Sequence, residues 1–438
     1  MTVRAAMRRF ALPAGVSGVS GGLLVLGLCS YAFLALAGRA LSPADFATLS
    51  VLYALVYTVG PGLFLPLEQE VGRALAERRV RGEGGLPVLR KAAALGLALA
   101  AAVVVLAVAL GRLAVDHLFA GSVAALLGLL LSCAGLWGAH LSRGALAGTG
   151  RFKRYGLQLA IEGIVRVLGC GALFLVGVRG VGAYGFLLGG ALIASVVLTV
   201  PRPRTLATDG PLAGWADLSG SLGWLLASAL LSQALVNAGP VAVRLLAGPG
   251  EQAAAGALLA GLVLARLPLF LFAAVQASLL PGLASLLAAG RKREFVHGVL
   301  RLVGLVAALM AVSTVAVALL GHLAMSILFG PKLTLSGGTL AAVTLASGLY
   351  MVAVVLSQAQ VALRGYGRSV VGWVSGLVVF LSVSVLGSGL VGRVVAGYLL
   401  GSLVAAFVLA GLLPGRLARH EPRADATCDL GAATGVEL

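Results

Sequence analysis

Charged residues are scarce in this sequence, and their scarcity excludes a water-soluble protein. Only 11% of the 438 residues are charged and 6% are aromatic, whereas 60% are hydrophobic. The mean hydropathy is +1.05, so the chain cannot cover a soluble domain with a surface of ordinary charge density. The composition therefore indicates an integral membrane protein.

Cysteine and histidine are too few and too dispersed to form a disulfide framework or a metal site. The chain has four cysteines and five histidines, and most of the cysteines lie in apolar runs, where they serve as small packing residues. No pair of these residues has metal-site spacing. A GxxxxGK[ST] motif is also absent, which argues against ATP hydrolysis. We expect neither a metal nor a cofactor.

Acidic residues are few compared with basic ones. There are 15 acids against 32 lysines and arginines, which gives a formal net charge of +17. Such a balance can indicate nucleic-acid binding, but here the basic residues lie between apolar runs and most fall in alternate connections, as the positive-inside rule describes. We predict no nucleic-acid partner and place both the N- and the C-terminus in the cytoplasm.

Long apolar runs fill most of the chain. A helix needs about 20 apolar residues to cross the hydrocarbon core of a bilayer. We predict twelve spans, at residues 15–37, 46–66, 92–111, 122–141, 157–178, 181–200, 218–243, 253–275, 302–321, 337–357, 370–390 and 394–413. The predicted fold class is an all-α polytopic membrane protein, located in the plasma (inner) membrane.

Two short phrases occur twice at similar spacing. ALAGTGR at 145–151 matches ALRGYGR at 362–368 with an offset of 217, and ALSPADFA at 40–47 matches LAGPGEQA at 246–253 with an offset of 206. Two matches at nearly one offset indicate an internal duplication. We interpret the repeated glycine phrase as a tight turn at the inner end of each half rather than as a phosphate loop.

The duplication predicts the domain organisation. Six spans are an even number, so both halves enter the membrane in the same direction and are related by a pseudo-twofold axis along the membrane normal. We predict an N-terminal six-helix lobe at 1–200, a cytoplasmic linker at 201–217, a C-terminal six-helix lobe at 218–413 and a disordered cytoplasmic tail at 414–438. A central cleft between the lobes follows from this arrangement.

Six plus six helices, prolines that kink the second and eighth, and an LxGxGR phrase after the fourth and tenth together resemble the multidrug/oligosaccharidyl-lipid/polysaccharide (MOP) flippase superfamily. The segment GRALSPADFATLSVLYALVYTVGPGLFLPLEQEVGRALAERR is most similar to actinobacterial polysaccharide-biosynthesis flippases. The resemblance covers residues 15–413. It implies alternating access of two lobes around a central cavity.

Three ionisable residues fall inside predicted spans, where a charge is costly enough to indicate function. Arg266 precedes Pro268 by two residues, and we predict that it lines a water-filled cavity and holds an anion; the alternative is an ion pair with another helix. The resemblance implies the same role, since lipid II flippases place a cavity arginine on the corresponding helix. Glu162 and Arg166 share one helical face, and form either a structural ion pair or part of a substrate or cation site.

Uncharged polar residues extend the predicted substrate site. Gln233 and Asn237 form a polar stripe on the seventh span, although such amides also stabilise helix packing. Under the duplication Tyr31 is the counterpart of Asn237. Gln276 is a weaker cavity candidate.

The acids Glu68 and Glu70 in the LEQE segment are, with Glu162, the candidates for binding a coupling ion, either H+ or Na+. For Glu68 and Glu70 the alternative is charge balance with the basic residues that follow at the membrane interface.

These features predict a transporter that flips a polyprenyl-diphosphate-linked oligosaccharide from the inner to the outer leaflet for export of a cell-envelope polysaccharide. The alternatives are a cation-coupled multidrug exporter of the same superfamily, or a membrane enzyme or scaffold of envelope glycan assembly. The external connections are short, which disfavours an enzyme. We expect the lipid-linked glycan and membrane lipid as partners, and function as a monomer, alone or with other polysaccharide-assembly proteins.

Overall fold

A computed structural model describes residues 16–200, 207–214, 218, 220–248, 250–269, 272, 283, 286–287, 289–330 and 333–418. Within these ranges the regular secondary structure is entirely helical and contains no strand. The predicted all-α class is therefore confirmed.

Twelve helices in the described ranges are long and apolar enough to cross a membrane, which confirms the predicted number. They are α1 Val16–Ala40, α2 Pro43–Val80, α3 Leu86–Ala109, α4 Val123–Gly148, α5 Phe152–Leu175, α6 Val181–Thr199, α7 Leu222–Leu246, α8 Gln252–Leu264, α9 Lys292–Phe329, α10 Gly337–Ala362, α11 Tyr366–Leu386 and α12 Leu390–Ala418. The side of the membrane on which the termini lie stays a prediction.

Two helices are much longer than their predicted spans. α2 and α9 each contain 38 residues, against predicted spans of 46–66 and 302–321. The added turns carry charged side chains such as Arg73 in α2 and Arg301 in α9. Hydropathy marks only the apolar part of a helix, because charged turns extend a helix without adding to the hydrophobic signal.

A single π-helical turn, Gly60–Phe64, interrupts α2 between Pro43–Val59 and Leu65–Val80. The backbone N–H of Leu65 donates to the carbonyl of Gly60, five residues earlier. Pro61 and Pro66 lack a backbone N–H, so the regular ladder cannot pass through this stretch. Single π turns of this kind occur often at functional sites.

The ends of α4 and α10 match each other, but at a different offset from that of the glycine phrases. α4 and α10 both contain 26 residues and follow capping serines, Ser122 and Ser336. Each is followed, two residues after its end, by a residue with positive φ, Gly150 at +75° and Arg364 at +58°. The offset between these equivalent positions is 364 − 150 = 214, whereas the glycine phrases predict 217. The alignment of the two phrases is thus three residues away from the alignment of the two helix ends. The left-handed residue of the turn is a glycine after α4 but an arginine after α10, so the glycines of the two phrases do not occupy equivalent positions.

By packing, the described residues divide into two compact units. The first comprises the described parts of Met1–Val263 and Met325–Thr334, and the second those of Leu264–Ala324 and Leu335–Leu438. These units are not the predicted lobes of 1–200 and 218–413, whose boundaries, like those of the tail, remain a prediction.

In the first unit, α1 and α5 pack backbone to backbone. A Cβ atom on Gly156 would lie 1.9 Å from the carbonyl oxygen of Gly18, and one on Gly22 would lie 2.2 Å from that of Gly156. Only glycine allows so close an approach, as in other small-residue helix contacts within membranes.

Residues 207–214, which fall in the predicted linker, pack against the turn between α2 and α3 in the same unit. The N–H of Leu86 donates to the carbonyl of Thr208 at 3.0 Å, and the buried guanidinium of Arg78 donates to that of Pro211 at 2.8 Å. Ala207 and Ala213 are buried in a hydrophobic core with residues of α2, α3 and α4. This stretch is therefore an integral part of the first unit.

In the second unit, α10 and α11 are joined by polar contacts around Trp373, whose side chain is fully buried. Its indole N–H donates to the hydroxyl of Ser357 at 3.1 Å, and that hydroxyl lies 2.6 Å from the hydroxyl of Ser369. α12 joins them through Gln360, whose amide donates to the carbonyl of Leu409 at 3.2 Å. These contacts pair polar side chains within an apolar surrounding, where an unpaired polar group is costly.

Candidate functional site

Five ionisable side chains are buried together between α2, α4 and α5 of the first unit. Their residues are only 2% to 7% exposed. A charge taken out of water is costly unless it is paired, so the geometry of the pairs decides what the cluster can do. We call these residues the ionic cluster: Glu68, His140, Arg143, Glu162 and Arg166.

One half of the ionic cluster is an arginine clamp on Glu162. Arg166, one turn later on α5, donates to one carboxylate oxygen at 2.5 Å, and Arg143 of α4 donates to the other. Arg166 also donates to the hydroxyl of Ser30 on α1 at 3.2 Å and to that of Tyr57 on α2 at 3.1 Å. The clamp thus ties four helices together, and its carboxylate faces two positive charges.

The other half of the ionic cluster is centred on Glu68. Nδ1 of His140 lies 2.7 Å from one oxygen of the Glu68 carboxylate, and the hydroxyl of Tyr155 donates to the other. The ring of His140 stacks on Phe64, the last residue of the π turn, with 6.1 Å between ring centroids. An ionisable pair therefore packs directly on the irregular turn of α2.

The structure brings together some of the predicted site residues and separates others. Glu162 and Arg166 are paired as their spacing predicts, and Glu68 joins the same cluster. Glu70 instead binds Arg73 at 2.5 Å along α2, so the two acids of the LEQE segment have different partners. Whether any of these acids binds a coupling ion remains a prediction.

Sequence reasoning did not single out Arg143 or Tyr155. The predicted fourth span ends at residue 141, which places Arg143 in a cytoplasmic connection, whereas α4 continues to Gly148 and buries it. A usable signal was the three-residue spacing of His140 and Arg143, which places both on one helical face.

Of the other substrate candidates, Gln233 and Asn237 contact each other on α7, where the Asn237 amide donates to the Gln233 carbonyl at 2.9 Å. Tyr31 lies half-buried on α1, next to Ser30. Gln276 lies outside the described residues.

Arg266 lies in the second unit, in the turn that follows α8, and is half-buried. Pro268 cannot donate to the carbonyl of Leu264, the last residue of α8, so the helix is interrupted where the sequence predicts a kink. Arg266 is close enough to Tyr398 of α12 to interact with it electrostatically. Tyr398 is buried and donates to the hydroxyl of Ser347 at 3.4 Å.

Within the described ranges, no group of three or more His, Cys, Asp or Glu side chains is arranged to hold a metal ion.

The all-helical fold is similar to that of solved structures described as MATE family transporters of the MOP superfamily. An inward-facing multidrug resistance MATE family transporter matches with a TM-score of 0.68 at 15% identity, over 90% of this chain and 94% of its own. An outward-facing structure of such a transporter matches with a TM-score of 0.62 at 15% identity, over 92% and 94%. A MOP superfamily transporter from Pyrococcus furiosus matches with a TM-score of 0.66 at 13% identity, over 92% and 95%.

Sequence relatives carry no assigned function. Uncharacterized proteins of Mycobacterium tuberculosis and Mycobacterium bovis are each 28% identical over 409 aligned residues, which cover 85% of this chain and 90% of theirs. No protein-family profile matches the chain.

Proposed function

We propose that this protein is a membrane transporter that works by alternating access. The proposal is supported by the fold, since chains of this architecture include transporters solved in inward-facing and in outward-facing conformations. Duplicated halves of six helices suit such a mechanism, because two similar halves can rock against each other around a substrate site near the membrane centre.

The substrate we propose is an anionic lipid-linked oligosaccharide, carried by a polyprenyl diphosphate and flipped to the outer leaflet of the plasma membrane. The state of the buried acids is the observation that carries this choice. In the described spans each buried glutamate already contacts a donor: Glu162 two arginines, Glu68 a histidine and a tyrosine, Glu70 an arginine. Acids engaged in this way do not provide the free negative charge that a cationic substrate needs.

The physical problem for such a transporter is the diphosphate. An isolated charge moved into hydrocarbon costs on the order of tens of kcal/mol before relaxation, so the substrate needs polar groups along its path. We propose that Arg266 binds the diphosphate, since a guanidinium makes two parallel hydrogen bonds to phosphate oxygens and stays charged. Gln233, Asn237, Tyr31 and Gln276 stay predicted substrate contacts, whereas Arg166 is already engaged by Glu162, Ser30 and Tyr57.

The second candidate is export of cationic drugs. It is favoured by the description of several structural neighbours as multidrug resistance transporters. Against it, the Pyrococcus furiosus neighbour is described as having a binding pocket of reverse polarity that suggests a different function, so this fold is not restricted to one sign of charge. Whether Glu162, Glu68 or Glu70 couples transport to H+ or Na+ stays a prediction for either candidate.

The test uses proteoliposomes that contain a fluorescently labelled polyprenyl-diphosphate glycan, with translocation read from access of an external quencher. We expect Arg266→Ala to lose translocation and Arg266→Lys to keep part of it, because lysine retains the charge but not the fork. Arg301→Ala is the matched control, since Arg301 lies exposed on α9 of the same unit, and should match the wild type. Full activity of both Arg266 variants contradicts the proposed role of this residue.

A further inference from the structure

We propose that Glu68 and His140 form the proton-binding site of this protein and that the π turn of α2 is the element that responds to its occupancy. The site is distinct from the clamp on Glu162. Its role in coupling rests on the proposed transport function, whereas proton binding itself is tested without transport.

The contacts fix which atom is free to take a proton. With Glu68 ionised, one carboxylate oxygen accepts from the Tyr155 hydroxyl, and the other lies 2.7 Å from Nδ1 of His140, which then acts as the donor. Nδ1 therefore carries the hydrogen of the neutral ring, and Nε2 holds a lone pair. A proton taken from water on one side of the membrane binds Nε2, gives an imidazolium paired with a carboxylate, and leaves from Nε2 to water on the other side.

The formal charges of the ionic cluster allow one such proton. With His140 neutral, the carboxylates of Glu68 and Glu162 balance the guanidinium groups of Arg143 and Arg166. One added proton makes the cluster positive by one charge, and this charge change biases one conformation over another.

The groups that face His140 from each packed helix favour H+ over Na+. α2 contributes Glu68, α5 contributes Tyr155 and Glu162, and α4 itself contributes Arg143 one turn later. In the neighbouring α3 the charged residues, Arg90 and Lys91, lie within the first two turns, and α6 has Tyr184 near its start. A metal cation needs a shell of oxygen acceptors, but here the Glu68 oxygens already accept from donors and a guanidinium lies close by. A proton on nitrogen meets neither obstacle.

The π turn connects the site to the shape of α2. Nε2 of His140 lies 3.6 Å from the position of a Cβ atom on Gly60, the first residue of the turn, and the ring stacks on Phe64, its last residue. Pro61 and Pro66 have no N–H to donate to the carbonyls of Tyr57 and Gly62, so the regular i→i−4 bonds are missing there. A protonated ring carries a new N–H on the side that faces this turn and gains by donating to a carbonyl of the turn, so protonation favours a different geometry of the turn.

The first measurement is pH-difference infrared spectroscopy of the purified full-length protein in detergent. We expect the wild type to show the imidazolium signal of a buried histidine. This signal should be absent from His140→Gln, and its titration midpoint should change in Glu68→Gln. His322→Gln, which alters an exposed histidine of α9, should leave the signal of the buried ring unchanged. An identical buried-histidine titration in wild type and Glu68→Gln overturns the pairing, and its persistence in His140→Gln overturns the assignment.

The second measurement compares two transport modes in proteoliposomes loaded with the labelled lipid-linked glycan. We expect His140→Gln and Glu68→Gln to lose net translocation driven by a pH gradient while keeping substrate exchange without a gradient. Gradient-driven translocation at the wild-type rate in both variants overturns the coupling role. If the wild type binds the proton yet transports nothing, the proton site stands and the proposed function fails.

Tyr155→Phe keeps the proposal testable if the other variants do not fold. It removes one hydrogen bond to Glu68 but retains both titratable groups, so we expect a shifted titration midpoint and retained gradient-driven transport. An unshifted midpoint contradicts the assignment of Glu68 as the carboxylate of the site.

Discussion

Replacing Glu162 by leucine removes the carboxylate that Arg143 and Arg166 share, and leaves two buried guanidinium groups facing each other. The three residues are 4%, 6% and 2% exposed, respectively, so solvent cannot replace the lost partner. Breaking a buried ion pair by removing one member costs about 3–5 kcal/mol. We expect a loss of stability in this range, at its upper end because both arginines depend on one acid.

The control removes an acid from an exposed ion pair, and the rescue removes all three charges of the buried one. Glu77 pairs with Arg73 at 2.7 Å, but both side chains are 47% exposed, so Glu77→Leu should cost no more than about 1 kcal/mol. Replacing Arg143 and Arg166 by methionine together with Glu162→Leu should recover most of the loss, because these three positions then carry no charge to desolvate and Glu68 keeps its contacts with His140 and Tyr155.

The assay is equilibrium unfolding of the purified protein in mixed micelles, followed by circular dichroism. A Glu162→Leu variant as stable as the Glu77→Leu variant refutes the reasoning. So does a triple variant less stable than the single one, since it shows that the arginines contribute without their acid.

Two further predictions concern the backbone. Gly156→Ala should destabilise the protein by about 1–3 kcal/mol, because the added Cβ meets the α1 backbone. Gly171→Ala on the same helix is the control, since its Cβ meets nothing within 4 Å, and it should be neutral or stabilising. Equal effects of the two substitutions in thermal unfolding contradict the close packing of α1 on α5. Arg364→Gly should stabilise the protein by about 1 kcal/mol, since the left-handed conformation at residue 364 suits glycine; a lower melting temperature for this variant argues that the arginine side chain holds the turn.

The sequence predicted the helices well because hydrophobic runs report membrane spans directly. It failed where a helix continues with polar residues, as at the end of α4, where Arg143 was assigned to a connection. The register of the duplication was also misplaced, because the phrase match paired residues that differ from the structural equivalents Gly150 and Arg364. Two segments can match in sequence because their compositions are similar, whereas the left-handed turn that follows each helix depends on backbone conformation.

The candidate site was only partly predictable for a related reason. A pair four residues apart on one helix, such as Glu162 and Arg166, follows from helical geometry. Contacts between helices, such as His140 with Glu68 or Arg143 with Glu162, join residues 72 and 19 positions apart. No spacing rule identifies such pairs in a single sequence, since they depend on how the helices pack.

The central claim is that this protein moves an anionic lipid-linked glycan rather than a cationic drug. It is tested most directly by offering both to the same proteoliposomes, a labelled polyprenyl-diphosphate oligosaccharide and a cationic dye, and measuring the initial transport rate of each against protein-free vesicles. We predict protein-dependent translocation of the glycan, inhibited by unlabelled glycan and unaffected by the dye. Transport of the dye alone, with the glycan at the rate of empty vesicles, contradicts the account.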